Sequence, residues 1–315
     1  MRLWTVILLA IALTPLLACA PLQTAQEPSG TTATTAEATP TATQAQATAG
    51  YARLESTPVR PGQPTPSPAP ETTHQVPILM YHHVRVNPDP ADSIGARLSV
   101  DPEDFEAQMS FLARNGYRTI SPRDLDTLRP GHNKRVIITF DDGYADAYEE
   151  AYPILRRNGF TATIYVITDL VDCHGHLTWE QIRELAANGT VIGSHTVGHP
   201  DLTAVSAREL RNQLVDSRTR LELMLDKQVL DFAYPSGAFN SMVEAAVRHA
   251  GYKTAVTTRP GLSSPGQDRL ALPRVRISGG MTMAEFRAAI GYKPIEAGQM
   301  QRTPATGART PISGD

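Results

Sequence analysis

The stretch Arg135-Val-Ile-Ile-Thr-Phe-Asp141-Asp142-Gly-Tyr144 decides the fold of this chain. Its apolar residues form one short continuous run, which is typical of a strand buried on both faces in a parallel sheet. Two adjacent carboxylates follow the run, where burial is costly unless a cation compensates them. A divalent metal would use one acid as a ligand and leave the other as a base. The alternative interpretation is an acidic turn, because Asp-Gly pairs are common in turns.

Apolar strand patterns and helical patterns alternate about seven times along residues 76–290, and many of the predicted helices end at a glycine. This alternation predicts an α/β fold with a parallel sheet and right-handed crossovers, either open or closed into a barrel. In such barrels the chemistry lies at the C-terminal ends of the strands. Polar residues occur at several of these predicted ends: His82, Asp141, Asp142, His195 and the loop after Pro235.

Two of the predicted helices lie before and after the Asp-Asp strand. The first covers Asp101–Asn115, where an Asp-Pro start signal precedes apolar residues at helical spacing. The second covers Tyr144–Asn158 and ends before Gly159, although Pro153 would bend it.

A second polar run, Val191-Ile-Gly-Ser-His195-Thr-Val-Gly198-His199-Pro200, also follows an apolar strand pattern. Gly198 and Pro200 disfavour a helix here, so we expect the strand to end at His195 and a tight loop to return His199 to the same edge. One carboxylate and two imidazoles with open positions suit Zn²⁺ and would tolerate Co²⁺, Ni²⁺ or Fe²⁺. Two histidines in a surface loop without a metal are the alternative.

Thr139-Phe-Asp-Asp-Gly143 and His195-Thr-Val-Gly-His199 together resemble the first two motifs of the polysaccharide deacetylases, the NodB-homology or carbohydrate esterase family 4 enzymes. The resemblance covers roughly residues 77–290. It implies a distorted (β/α)7 barrel and metal-dependent removal of acetyl groups from amino sugars. By the same resemblance, Asp141 matches the catalytic base, and Asp142, His195 and His199 match the metal ligands.

The third motif of this family departs from its pattern in Phe232-Ala-Tyr-Pro-Ser-Gly237. Its proline and glycine are kept, so the resemblance still implies that the backbone N–H of Ser236 serves as an oxyanion donor. The motif's arginine, which orients the base, is replaced by Ala233. Arg274, in the last predicted strand, is our candidate substitute, and an ordinary surface arginine is the alternative.

The family's usual acid, a histidine near the end of the domain, has no counterpart after His249. A subset of the family begins instead with a strand that ends in Tyr-His, and its barrel looks circularly permuted. Ile78-Leu-Met-Tyr-His82-His83 resembles that start. The resemblance makes His82 the expected general acid, whereas we expect His83, which points the other way on an extended backbone, to be structural.

The N-terminus carries Arg2 and then an apolar run, as in a secretory signal. The signal ends in Leu16-Leu-Ala-Cys19, which resembles the lipobox of bacterial lipoproteins and implies lipidation of Cys19. A plain secretory signal is the alternative. We predict a signal over residues 1–18, a disordered Thr/Ala/Pro-rich linker over 19–74, a deacetylase domain over 75–293 and a disordered tail over 294–315.

The formal net charge of −3 over 315 residues gives no indication of nucleic-acid binding. From the signal and the lipobox we expect an exported monomer that is held at the cell membrane by a lipid anchor only and faces the cell wall or extracellular space. Its expected activity is metal-dependent hydrolysis of N-acetyl groups from poly-N-acetylglucosamine or peptidoglycan, with zinc as the expected metal. The alternatives are a non-catalytic glycan-binding lipoprotein and an O-acetyl xylan esterase of the same fold.

Overall fold

The computed structural model describes residues 75–89, 91–128 and 134–293. The predictions for the signal, Cys19, the linker and the tail lie outside these residues. No helix in the described part of the chain has the length and apolar character needed to cross a membrane.

The described residues contain ten strands and seven α-helices. The strands are β1 Ile78–Tyr81, β2 His83–Val84, β3 Ser99–Val100, β4 Arg118–Thr119, β5 Arg135–Phe140, β6 Thr163–Val166, β7 Val191–Ser194, β8 Asp231–Ala233, β9 Thr254–Pro260 and β10 Leu272–Arg276. The helices are α1 Ser93–Leu98, α2 Pro102–Arg114, α3 Tyr152–Arg157, α4 Trp179–Ala187, α5 Ala207–Leu225, α6 Ser241–His249 and α7 Met283–Ala289.

Seven parallel strands close into a barrel in the order β1-β10-β9-β8-β7-β6-β5, and β5 pairs with β1 to complete the ring. This confirms the predicted (β/α)7 barrel and selects the closed form over the open sheet. The barrel is distorted in two places. The short strand β4 pairs with the first residues of β5, and β6 pairs with β5 from Thr139 onward. The register between β9 and β10 shifts between Leu272 and Arg274.

The barrel strands have an apolar layer on each side. A small interior cluster includes Ile78, Ile137 and Val256, and a larger cluster packs between the strands and the surrounding helices. Because side chains alternate along a strand, the inward series on β5 continues from Ile137 through Thr139 to Asp141. Polar side chains therefore lie at the C-terminal mouth of the barrel, above the apolar interior cluster.

The segment over Tyr144–Asn158 corrects the predicted single helix. A π-helical turn, Ala147–Ala151, precedes α3, and Tyr144 lies outside both. Pro153 lies in the first turn of α3, where its missing N–H costs no helical hydrogen bond. The proline therefore marks the start of the regular helix instead of bending its middle.

A small ribbon that we did not predict lies beside the mouth. It consists of the two-residue strands β2 and β3, which pair in parallel, and α1, which leads into β3. Asp92 caps α1 by accepting hydrogen bonds from the backbone N–H groups of Ile94 and Gly95. The ribbon fixes the chain that follows β1 against the N-terminal side of α2.

A glycine in β7 allows the barrel interior to pack around a tyrosine. Gly193 pairs with Tyr165 of β6, and a Cβ atom built on Gly193 would lie 2.5 Å from the Tyr165 ring and 2.9 Å from the carbonyl oxygen of Asp231. Gly193→Ala should therefore lower the free energy of unfolding by about 1–3 kcal/mol, because the interior must shift to accept the methyl group. Urea denaturation measures the change.

Gly198→Ala is the matched control, because a Cβ atom there meets nothing within 4 Å. We expect this variant to unfold close to the wild type, within about 0.5 kcal/mol. Equal stabilities of the two variants would contradict the packing argument.

Candidate active site

Asp141 and Arg274 form a bidentate ion pair inside the mouth of the barrel. The two terminal nitrogens of Arg274 each lie 2.7 Å from one carboxylate oxygen of Asp141. Asp141 is 3 % exposed and Arg274 is 0 % exposed. Two of the three remaining N–H groups of the guanidinium are also used, since Nε donates to the carbonyl of Thr257 at 2.8 Å and Nη1 to the hydroxyl of Thr139 at 3.1 Å. The arginine therefore has one fixed position.

This ion pair determines the charge of the Asp141 carboxyl. Burial raises the pKa of Asp141, but the charge and hydrogen bonds of Arg274 outweigh burial, with smaller contributions from His195 and His82. The net pKa lies below the ordinary value. Asp141 is thus held as an anion in the barrel interior, with its orientation set by the guanidinium.

Asp142, His195 and His199 come together next to this pair. One ligand atom from each lies within 4.8 Å of the other two. Nε2 of His195 is 3.4 Å, and Nε2 of His199 3.8 Å, from Oδ1 of Asp142. Nδ1 of His195 hydrogen-bonds with the carbonyl oxygen of Ala233 at 2.8 Å, which orients the ring so that Nε2 faces Asp142. This donor set fits a divalent metal such as zinc.

A tightly bonded loop presents His199 to the triad. The strand β7 ends at Ser194, and Thr196 and His199 both adopt positive φ, at 71° and 59°. The hydroxyl of Thr196 accepts a hydrogen bond from the backbone N–H of His199, and Gln213 of α5 accepts two more from the loop. These bonds hold the reversal that the glycine and proline in the sequence led us to expect.

The protonation states of Asp142 and His199 suit metal binding. Burial lowers the pKa of His199 to about 4, with a further contribution from the neighbouring His195. Burial raises the pKa of Asp142, but its hydrogen bond with His195 and the nearby imidazoles outweigh burial, so the net pKa is lowered. At neutral pH the structure thus offers an anionic carboxylate and a neutral His199 imidazole, which are the forms that bind metals.

His82 follows β1 and lies on the same inward side as Met80. Burial lowers its pKa, against the opposing charges of Asp141 and Asp142. His82 follows Tyr81 as Asp141 follows Phe140, and these two preceding residues are paired, so His82 lies at the same mouth as Asp141. His83 points away from it, and its Nδ1 lies 2.6 Å from a carboxylate oxygen of Asp146.

Ser236 lies at the end of the neighbouring strand β8, in a 3₁₀ turn over Pro235–Gly237. It is exposed and has a φ of 53°. Gly237 follows with a φ of 74°, and a Cβ atom on it would lie 2.0 Å from the hydroxyl of Thr258. The turn therefore requires glycine at this position.

Tyr144 is a site residue that the sequence interpretation missed. Its hydroxyl hydrogen-bonds to the carboxylate of Asp142, and this contact together with burial raises its pKa. The Tyr144 ring stacks on His83, with ring centroids 3.6 Å apart. The position of Tyr144 directly after the Asp-Asp-Gly turn was the available signal. His83, which pairs with Asp146, thus supports Tyr144, and Tyr144 supports Asp142, a candidate metal ligand.

The structure therefore defines a parallel α/β barrel with a candidate metal centre at the C-terminal ends of its strands. Comparisons with known proteins agree with this class. Residues 129–255 match the family model described as polysaccharide deacetylase. The chain is 38 % identical over 224 residues to YxkH of Bacillus subtilis (strain 168), whose name places it among polysaccharide deacetylases. That match covers 70 % of this chain and 77 % of YxkH.

The chain belongs to the polysaccharide deacetylase family and is a deacetylating hydrolase. The solved structure of the Streptococcus pyogenes deacetylase PplD in complex with acetate has a TM-score of 0.64 and 33 % identity, covering 71 % of this chain and all of PplD. Shorter matches are 29 % identity to the peptidoglycan-N-acetylmuramic acid deacetylase PdaA of Bacillus subtilis and 26 % to the poly-β-1,6-N-acetyl-D-glucosamine N-deacetylase of Escherichia coli K12. They cover 38 % and 61 % of this chain, and 45 % and 36 % of those proteins.

Arg274→Met should lower the free energy of unfolding near pH 7 by about 3–5 kcal/mol, because Asp141 would stay buried without its cation. The wild-type contribution of Asp141 is present above its unfolded pKa and is lost as the pH falls through its lowered folded pKa. In the variant, burial raises the folded pKa, and only the smaller contributions of His195 and His82 oppose it. The deficit should therefore shrink as the pH falls and Asp141 takes up a proton. Urea titrations across this range measure it.

Arg248→Met is the control for that experiment. Arg248 forms an i,i+4 pair with Glu244 on α6, and its side chain is 63 % exposed. Loss of this surface pair should cost less than about 1 kcal/mol. A large Arg274→Met deficit that did not change with pH would show that lost packing, and not the unpaired carboxylate, destabilises the variant.

Tyr144→Phe tests the support of the candidate metal ligand. The substitution keeps the ring stacked on His83 but removes the hydroxyl that bonds to Asp142. We expect zinc affinity to fall by about 10–100-fold, the usual effect of removing a partner of a metal ligand. Competition with a chromophoric chelator measures the affinity. Tyr148→Phe, which loses a hydrogen bond to Glu184, should bind zinc like the wild type. Equal affinities of all three proteins would refute the role of Tyr144.

Proposed function

We propose that this protein hydrolyses N-acetyl groups on an amino-sugar polysaccharide, with a divalent metal, most simply zinc, held by Asp142, His195 and His199. The observation that carries the proposal is the fully buried Arg274–Asp141 ion pair directly beside this triad. A structural ion pair would not require a group of metal-binding side chains next to it. A base held ionised and oriented beside an electrophilic metal centre is what amide hydrolysis requires.

Each side chain then has one role in the reaction. When bound, the metal would lower the pKa of a water molecule and polarise the acetamide carbonyl group. Asp141 accepts the proton of the attacking water, and Arg274 holds its carboxylate in position. The backbone N–H of Ser236 donates to the developing oxyanion. His82 donates a proton to the departing amine, and its lowered pKa makes its imidazolium a stronger acid than a free one.

The substrate that we propose is a cell-envelope or extracellular glycan, either peptidoglycan or poly-N-acetylglucosamine. The names of two relatives support this range, since one acts on peptidoglycan and the other on poly-β-1,6-N-acetyl-D-glucosamine. We further propose that the protein is exported and acts as a monomer. In this proposal, lipidation of Cys19 and the linker over residues 19–74 tether the barrel to the cell membrane.

Asp141→Asn should reduce acetate release by about 10²–10⁴-fold, because the amide cannot accept the proton of the attacking water. Acetate is measured with peptidoglycan, N-acetylglucosamine oligomers and acetylated xylan as substrates, each with zinc or cobalt added. Metal content should stay at the wild-type level, since Asp141 is not one of the ligands.

Asp169→Asn is the matched control, because Asp169 is exposed and pairs with Arg220 on the surface. It should release acetate at the wild-type rate. Turnover near the wild-type rate in Asp141→Asn would show that the base has been assigned wrongly. Acetate release from xylan alone would replace the amidase proposal with an esterase.

A further inference from the structure

Three arginines that the proposed chemistry does not use lie on one side of the barrel mouth. Arg276 is the last residue of β10, Arg97 lies in the last turn of α1, and Arg85 follows β2. Among the residues that the structure describes, none of the three lies within ion-pair distance of a carboxylate. The three guanidinium groups are therefore not neutralised by a direct ion pair within these residues.

The strand geometry directs Arg276 toward the mouth. Arg276 lies two residues beyond Arg274, so its side chain leaves the same face of β10, one layer closer to solvent. Its strand partner is Met80 of β1, two residues before His82. The charge of Arg276 also contributes to the lowered pKa of His82.

A pocket of about 330 Å³ is lined by Arg85 and Arg97, together with Gly279, which follows Arg276 by three residues. Gly279 forms part of the wall because it packs against the ribbon. A Cβ atom on Gly279 would lie 2.2 Å from the carbonyl oxygen of Ala96, and its N–H donates to the carbonyl of Arg97 at 3.1 Å. The wall is thus fixed by close backbone contact.

The polar groups of this pocket compensate the arginine charges only in part. Nε of Arg85 donates to the hydroxyl of Ser99 at 3.3 Å, which orients the side chain but adds no negative charge. The carboxylate of Asp101 also lines the pocket, where it caps α2 by accepting from the N–H of Glu103. Partial burial lowers the pKa of Arg276, as do the charges of Arg274 and Arg97. Cations thus dominate around Arg276.

We propose that Arg276, Arg97 and Arg85 form an anion subsite that binds a carboxylate carried by the glycan, next to the sugar that loses its acetyl group. This inference rests on the proposed function and narrows its substrate to an acidic amino-sugar polymer, such as one containing N-acetylmuramic acid. Guanidinium groups bind carboxylates in bidentate geometry with good directional fit. A neutral poly-N-acetylglucosamine chain has no group that would replace the water around these charges.

The test compares two substrates that differ only in charge. Peptide-free glycan strands with free lactyl carboxylates are assayed for acetate release beside the same strands with those carboxylates converted to methyl esters. The wild type should prefer the acidic strands, and the preference should weaken as salt is added. In the double variant Arg97→Gln/Arg276→Gln, the ratio of kcat/KM for acidic over esterified strands should fall by about tenfold or more, mainly through KM.

Arg114→Gln is the matched control, because Arg114 is an exposed arginine at the far end of α2. It should keep the wild-type ratio. A double variant that also keeps this ratio, or that slows both substrates equally, would overturn the anion subsite. Free phosphate or a phosphate-bearing polymer that competes better than the carboxylate strands would also overturn it.

Calorimetric titration of both kinds of strand separates this inference from the proposed function. If the wild type releases no acetate from any glycan, the proposed function fails. Binding of the acidic strands at least tenfold tighter than the esters, with loss of this difference in the double variant, would still support the subsite. Acetate release without a preference for carboxylates, and equal binding of both strands, would refute the subsite alone.

Discussion

The buried ion pair between Asp141 and Arg274 is the constraint on which the rest of the site depends. Removing a carboxylate and a guanidinium from water costs several kcal/mol for each ion, and their attraction offsets this only with good geometry and further hydrogen bonds. Both conditions hold here, since the pair is bidentate and Thr139 and Thr257 accept two of the other N–H groups. The Asp141 carboxylate, our proposed base, is thus oriented before any substrate arrives.

Barrel closure by β1 makes this pair possible. The strand β1 lies between β5, which ends before Asp141, and β10, which contains Arg274. His82 follows β1 and therefore lies at the mouth between these two strands. Thr139 connects the three strands, because its hydroxyl donates to the carbonyl of Leu79 and accepts from Arg274. Base, base partner and acid candidate therefore come from three adjacent strands, whereas the histidines of the triad follow β7, on the other side of β6.

The features that could be predicted from the sequence are those whose chemistry is local. The Asp-Asp strand end and the loop from His195 to His199 each contain their donors, their turn residues and the preceding strand pattern within about a dozen residues. The sequence offered Arg274 only as a candidate partner of Asp141, with a surface arginine as the alternative, because the two positions are 133 residues apart and the closed ring of strands brings them together. The ribbon of β2 and β3 was missed because two-residue strands are too short to show a periodic pattern of apolar residues. Tyr144 was missed because its hydrogen bond to Asp142 belongs to no helix pattern.

The distribution of charge at the mouth explains how a protein with a net charge of −3 could act on an acidic glycan. Asp141 is neutralised by Arg274, and a divalent ion would more than neutralise Asp142. The arginines beside β1 and β10 then leave this face positive, although the chain as a whole is slightly acidic. Anions are attracted by the field near the cleft more than by the total charge of the protein, because salt screens charges that lie more than about 10 Å away. The same field would favour the oxyanion formed during amide hydrolysis, so substrate attraction and transition-state stabilisation would have a common electrostatic origin.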